Sequence, residues 1–180
     1  MSSAERMKRL QTDLQQMKNL AGRVVEWTSL QGREPHVEKY KLIVRVRTIV
    51  SPTPTYRDAH ELTLELPPAY PLQQPHIVMV TEPVPFHPNW WPRSRGGFWC
   101  CGTWSVSEAL GDHVIRMIRT LQFDARITKP GSAANDEAKT WYQRHLNEGL
   151  FPCDTTPLPD PSRARFVINA PSGPRKFQIE

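Results

Sequence analysis

Residues 70–102 read YPLQQPHIVMVTEPVPFHPNWWPRSRGGFWCCG. Two prolines, Pro71 and Pro75, bracket a turn. His76 to Thr81 then forms a compact apolar run of the length and β-branched character of a strand. From Pro83 to Gly102 no period of two or of 3.6 can be found, while Pro, Gly, Arg and Trp are concentrated. An irregular segment of about twenty residues inside a compact domain is uncommon and usually functional. Near its end Gly96 and Gly97 precede Cys100 and Cys101, and Gly102 follows them. Paired thiols therefore sit in non-helical chain that other molecules can approach closely.

Upstream of this stretch, Leu62, Leu64 and Leu66 alternate with Glu61, Thr63 and Glu65, which predicts a second strand. From Val37 to Val50 the period is again two, with Tyr40, Leu42, Val44 and Val46 on one face and Lys41, Arg45 and Arg47 on the other. That predicts one long half-exposed strand. Val24 to Trp27 is a shorter apolar stretch before the turn marked by Gly32 and Pro35. Residues 3–21 carry Met7, Leu10, Leu14, Met17 and Leu20 at helical spacing. Downstream, Ser105-Val106-Ser107-Glu108 has the form of a capping box ahead of Leu110, Val114, Met117 and Leu121. Asn135 predicts the cap of a last helix reaching about Gly149 and burying Ala138, Trp141, Tyr142, His145 and Leu146. The expected layout is α+β: an N-terminal helix, an antiparallel meander, an irregular loop and two closing helices.

Composition supports that partition. Of 18 prolines in 180 residues, ten lie between Pro52 and Pro92 and six between Pro152 and Pro174, which excludes a helical bundle. Residues 1–50 hold ten Lys and Arg against five acids, whereas the remaining residues hold thirteen of each. The basic surplus thus belongs to the N-terminal part. It reads either as a solvated face or as a docking face for an acidic partner. A nucleic-acid module is disfavoured, because the charge does not interleave with exposed aromatic residues. No apolar run is long enough to span a membrane, and no signal-peptide pattern is present. Three cysteines without a scaffold pattern point to a reducing, cytoplasmic setting.

Cysteine is the one strong nucleophile in a conspicuous place, although free cysteines are often simply small buried hydrophobes. A zinc site is a weaker reading, since adjacent Cys100 and Cys101 with His87 and distant Cys153 lack ligand spacing.

The ordered series Tyr70-Pro71 to Pro75, His87-Pro88-Asn89, Gly97-Phe98-Trp99-Cys100, Trp104-Ser105 and Asn135-Asp136-Glu137-Ala138 to Tyr142 resembles the ubiquitin-conjugating enzyme family over about residues 5–150. The resemblance implies the UBC fold, with a four-stranded antiparallel meander, an active-site loop and a domain over 1–150. It leaves 151–180 as a proline-rich extension with a hint of a strand at 166–168. Cys100 falls at the family's thioester-forming cysteine. Asn89 falls at the asparagine that stabilises the oxyanion or holds the neighbouring loop in shape. His87 falls at a structural position, with Cys101 and Trp104 as supporting residues and Cys101 as the alternative nucleophile. Arg6, Lys8, Arg9 and Lys18 would dock the activating enzyme, and Leu72, Trp104 and Val106 would form a ligase or partner patch. Implied partners are an activating enzyme, a ubiquitin-like protein and a protein substrate, with neither nucleic acid nor membrane. Implied cofactors are none, because ATP is used by the activating enzyme.

Departures accompany the likeness. Ten residues separate Asn89 from Cys100, where the family has about five. Trp104 follows Cys100 after only three residues. Val106 replaces a usual proline, and the acidic residues that gate the family's site have no match near 123–135. This divergence is more similar to bacterial ubiquitin-like conjugation systems linked to phage defence. The competing reading is a catalytically inactive adaptor of the same fold that binds ubiquitin-like proteins without conjugating them.

Overall fold

The structure, a computed structural model, describes residues 2–163. Helix α1 spans Ser3–Leu20, and its entry is fixed by a reciprocal capping box between Ser2 and Glu5. Leu10, Leu14, Met17 and Leu20 are buried along one stripe. The strands are β1 (Val25–Arg33), β2 (His36–Val44), β3 (Thr48–Ser51), β4 (Thr55–Arg57), β5 (His60–Glu65) and β6 (His76–Met79). Helices α2 (Leu110–Leu121) and α3 (Asp136–Arg144) follow. Strands β1, β2, β5 and β6 form an antiparallel four-stranded sheet in that order, so the α+β meander is as expected. α1 packs on β2 and α2.

Alternation explains the sheet. Tyr40, Leu42 and Val44 of β2 face the core with Leu62 and Leu64 of β5. On the other face Lys39 pairs with Glu65 and Lys41 with Glu61, each at 2.8 Å. The single strand expected over 37–50 is instead broken. Val44 is the last residue of β2 paired to both neighbours, after which the backbone finds other partners. Arg45 N–H donates to Val24 O, Arg47 N–H to an Asp154 carboxylate oxygen, and Val46 O accepts from His60. β3 then pairs with β4 in a separate ribbon. The third strand also stops two residues short of Thr81, because Val80 and Thr81 both donate to Glu61 O.

The capping box expected at Ser105 to Glu108 does not form. The N-cap of α2 is Ala109, and the first free N–H groups are satisfied from α1: Leu110 N–H by Asp13 Oδ1 (3.3 Å) and Gly111 N–H by Gln16 Oε1 (2.8 Å). Glu108 is already held by Arg116 and His113. Asn135 does cap α3, accepting from Ala138 N–H at 3.0 Å. That helix ends at Arg144, so Leu146 is exposed rather than buried, while Ala138, Trp141 and Tyr142 are buried as expected. Beyond α3, residues 151–163 form a strap along α2. Cys153 N–H donates to Gln122 O, Gln122 Nε2 to Thr156 O, and Asn19 Nδ2 to Pro161 O. The strand expected at 166–168 lies outside the described residues. No helix among the described residues is long and apolar enough to cross a membrane.

Buried His60 donates from Nε2 to Val46 O (2.9 Å) and accepts at Nδ1 from Arg57 Nε (3.1 Å), so the ring is neutral. Burial, aided by the Arg57 charge, pushes its pKa down to about 4. The unfolded chain takes up this proton near pH 6.5 and the folded chain only near 4. Stability is therefore fully present above 6.5 and falls as pH drops through that window. Between pH 7 and 5 this one group is expected to remove about 2 kcal/mol, measurable by urea unfolding at both values. His60→Gln should lose that share of the pH dependence; a pH-independent parent contradicts the neutral buried ring.

Candidate active site

The insertion between Asn89 and Cys100 closes on itself. Trp90 and Trp99 are bridged antiparallel, Trp91 N–H donates to Phe98 O, and a single 3₁₀ turn at Arg93–Arg95 reverses the chain. Gly96 and Gly97 both have positive φ, which the return requires. Trp90 is fully buried and donates to Gly97 O at 3.0 Å. The extra residues therefore form an excursion. It returns the chain to its starting point, with Cys100 N–H donating to Asn89 O at 3.0 Å. Residues 97–99 also join the free edge of β6, through Met79 N–H to Gly97 O and Trp99 N–H to Ile77 O.

Alternation along this edge sorts the two thiols. Trp99 points inward and donates to Thr120 Oγ1 of α2. Cys100 is half-buried at a cavity of about 270 Å³. Cys101 is 8% exposed and its Sγ contacts Gln74 Oε1 at 3.3 Å; burial pushes its thiol pKa up. Burial and a raised pKa both make Cys101 a poor nucleophile at neutral pH, and Cys100 is the more accessible of the two thiols. Arg116 of α2 anchors this loop: it donates to Cys101 O, lies over the Trp99 ring at 5.2 Å, and makes a two-pronged pair with Glu108.

His87 is wholly buried, 4.3 Å from the Phe123 ring. Its Nδ1 accepts from Asn89 N–H (2.9 Å) and its Nε2 meets Thr128 Oγ1 (3.3 Å). Burial lowers its pKa to about 3, so the ring is a neutral brace, and it is not among the residues that line the cavity. Asn89 is buried at the cavity floor. Its Nδ2 donates to both Lys129 O and Ser132 O at 3.0 Å, and its Oδ1 accepts from Lys129 N–H at 2.8 Å. Both amide protons are occupied, so in this geometry the side chain holds the 129–132 loop. Gly102 and Thr103 line the same cavity, and their N–H groups have no acceptor among the described residues.

Trp104 donates from Nε1 to Pro71 O at 2.7 Å and packs on Tyr70 and His113. It ties the loop after Cys101 to the Tyr70-Pro71 turn. Leu72 (65% exposed) and Val106 (50% exposed) lie on these two joined loops. The basic residues of α1 divide. Lys8 is exposed without an ion-pair partner among the described residues, Arg6 pairs with Glu38, and Lys18 pairs with Glu34. Arg9 instead turns inward to Asp13, the Tyr70 hydroxyl, Val106 O and Glu108 O. It joins α1 to both the Tyr70 turn and the segment before α2. The resemblance puts Arg9 among the residues that dock the activating enzyme, and sequence reasoning passes over Asp13, Arg116 and Lys129. Their roles carry little signal in sequence, since Asp13 also serves Tyr70 and Leu110, Arg116 reaches Cys101 O, and Lys129 meets Asn89 through its backbone. Among the described residues no group of three His, Cys, Asp or Glu converges on a metal-holding site.

No family sequence model matches the chain, and no curated protein sequence does. Solved structures do share its fold. One is the crystal structure of a "putative ubiquitin conjugating enzyme" from Plasmodium yoelii, which is 18% identical and aligns over 85% of this chain and 92% of its own with a TM-score of 0.55. The fold is thus UBC-like.

Proposed function

We propose that this chain is a ubiquitin-conjugating-type transferase with Cys100 as its nucleophile. The Cys100 thiolate attacks the thioester carried by an activating enzyme and takes over the C-terminus of a ubiquitin-like protein. An amine of a protein substrate then attacks the new thioester, and an isopeptide bond forms. The observation that carries this reading is the meeting of Cys100 with Asn89 at a cavity on a UBC-like fold, despite an insertion that doubles their separation in sequence. The chemistry needs neither metal nor organic cofactor on this chain, and ATP is used by the activating enzyme.

Asn89 serves as a positioning residue, because its amide protons are given to Lys129 O and Ser132 O. The unpartnered N–H groups of Gly102 and Thr103 are the better donors for a developing oxyanion. The outer face of α1, with Lys8 in no ion pair among the described residues and Lys18 in an exposed, exchangeable pair with Glu34, suits an acidic activating-enzyme surface, to which Arg6 adds from its part-buried pair with Glu38. Arg9 serves the fold. Leu72 and Val106 offer an apolar patch to a ligase or other partner. The tryptophan-rich excursion and the short step from Cys100 to Trp104 favour a divergent bacterial conjugation system with a role in antiviral defence, acting in the cytoplasm.

Incubation with the cognate activating enzyme, ATP and ubiquitin-like protein should give an adduct that disappears with reductant. It should persist in Cys101→Ser and be lost in Cys100→Ser. Binding of the ubiquitin-like protein without any adduct would support the inactive-adaptor reading instead.

A further inference from the structure

The charged residues among those lining the Cys100 cavity are Arg116, Arg126 and Lys129, and no Asp or Glu is among them. Two of these cations are already matched. Arg116 is held by both oxygens of Glu108, and Arg126 by both oxygens of Asp124 at 2.7–3.0 Å. The Lys129 ammonium has no hydrogen-bond or ion-pair partner among the described residues. Its backbone, in contrast, is fixed on both sides by Asn89, which accepts from its N–H and donates to its carbonyl. A lysine with an unmatched charge thus lines the cavity that holds Cys100, on backbone fixed by Asn89.

Resting on the conjugation reading, we infer that Lys129 selects the acceptor, and that the acceptor is a lysine flanked by aspartate or glutamate on the target protein. A bare lysine arrives as an ammonium and meets like charge at the cavity, which disfavours its approach. A neighbouring carboxylate on the same segment pairs with Lys129 and converts repulsion into docking. The positive surroundings also favour the neutral, nucleophilic form of the acceptor amine. In the transfer step that amine attacks the thioester carbonyl carbon. The C–N bond forms, the C–S bond to Cys100 breaks, and Sγ leaves with the electron pair. The proton lost by the amine restores the thiol.

The test uses chain preloaded with the ubiquitin-like protein and freed of activating enzyme. It is mixed at low salt with two peptides, one carrying Asp-Lys-Glu and one carrying Ala-Lys-Ala. Discharge to the acidic peptide is expected to be about tenfold faster, with the preference shrinking toward 0.5 M salt. Lys129→Glu should abolish or invert the preference while loading at its usual rate, and Lys129→Arg should retain it. Equal discharge to both peptides, or a preference that survives Lys129→Glu, overturns the assignment. Slowed loading of Lys129→Glu also overturns it, since the lysine would then serve the carrier and not the acceptor. A parent chain that forms no thioester overturns the conjugation reading itself.

Discussion

Asp13→Ala is expected to destabilise the fold by about 3–5 kcal/mol, the range for removing one partner of a buried charge pair. Asp13 is 1% exposed and serves three groups at once. It accepts from Arg9 Nε at 2.9 Å and 3.1 Å, from the Tyr70 hydroxyl at 2.6 Å, and from Leu110 N–H at 3.3 Å. Its loss strands a partly buried guanidinium, a fully buried phenol and the first free N–H of α2. The three elements it joins are α1, the Tyr70-Pro71 turn and α2. For a domain of this size the change corresponds to a drop in Tm of about 10 °C. Tyr70→Phe removes the hydroxyl's bonds to Asp13 and from Arg9 but leaves the carboxylate–guanidinium pair intact, and should cost about 1–2 kcal/mol. Urea unfolding of both variants checks the ranking. Equal and small effects would mean that Asp13 is not the junction its bonds describe.

Asn89→Ala should leave thioester formation close to normal while slowing transfer to an amine about 100-fold, the scale for misplacing groups around a reacting centre. The cause lies in the loop. Three hydrogen bonds between Asn89 and residues 129 and 132 vanish together, and the 129–132 wall of the cavity, beside the thiol and the N–H groups of Gly102 and Thr103, loses its fixed position. Amide exchange separates this from direct oxyanion stabilisation. The Lys129 N–H, bonded to Asn89 Oδ1, should exchange markedly faster in the variant. Slow transfer with unchanged exchange at Lys129 would assign Asn89 to the oxyanion and contradict the positioning role.

Much of this arrangement was legible beforehand, for definable reasons. The apolar stripe of α1, the alternation of β2 and β5 and the Asn135 cap are local patterns of burial and backbone satisfaction, and each is found where the pattern placed it. Cys100 and Asn89 are picked out by motif order, and the closed excursion explains how they lie together despite their longer separation. What escaped were interactions in which a side chain reaches the backbone of a distant element. The break after Val44 follows from Val24, His60 and Asp154, none of which alternation records. The Ser105 to Glu108 capping pattern failed because α1 caps α2 across the fold and because Arg116 claims Glu108. Arg9, placed among the docking cations by the resemblance, turns inward, because charge counting cannot tell which cation has a buried carboxylate one helical turn away.

On the proposed reading, Cys100 carries the acyl group. The most direct test of this is the intact mass of the chain after incubation with activating enzyme, ATP and ubiquitin-like protein, followed by fragmentation of the adduct. The expected mass gain is one ubiquitin-like protein less one water, reversed by thiol reductant, with the modified peptide carrying the acyl group on Cys100. An adduct mapped to Cys101 or Cys153, or an unchanged mass in the presence of a charged activating enzyme, would contradict the account.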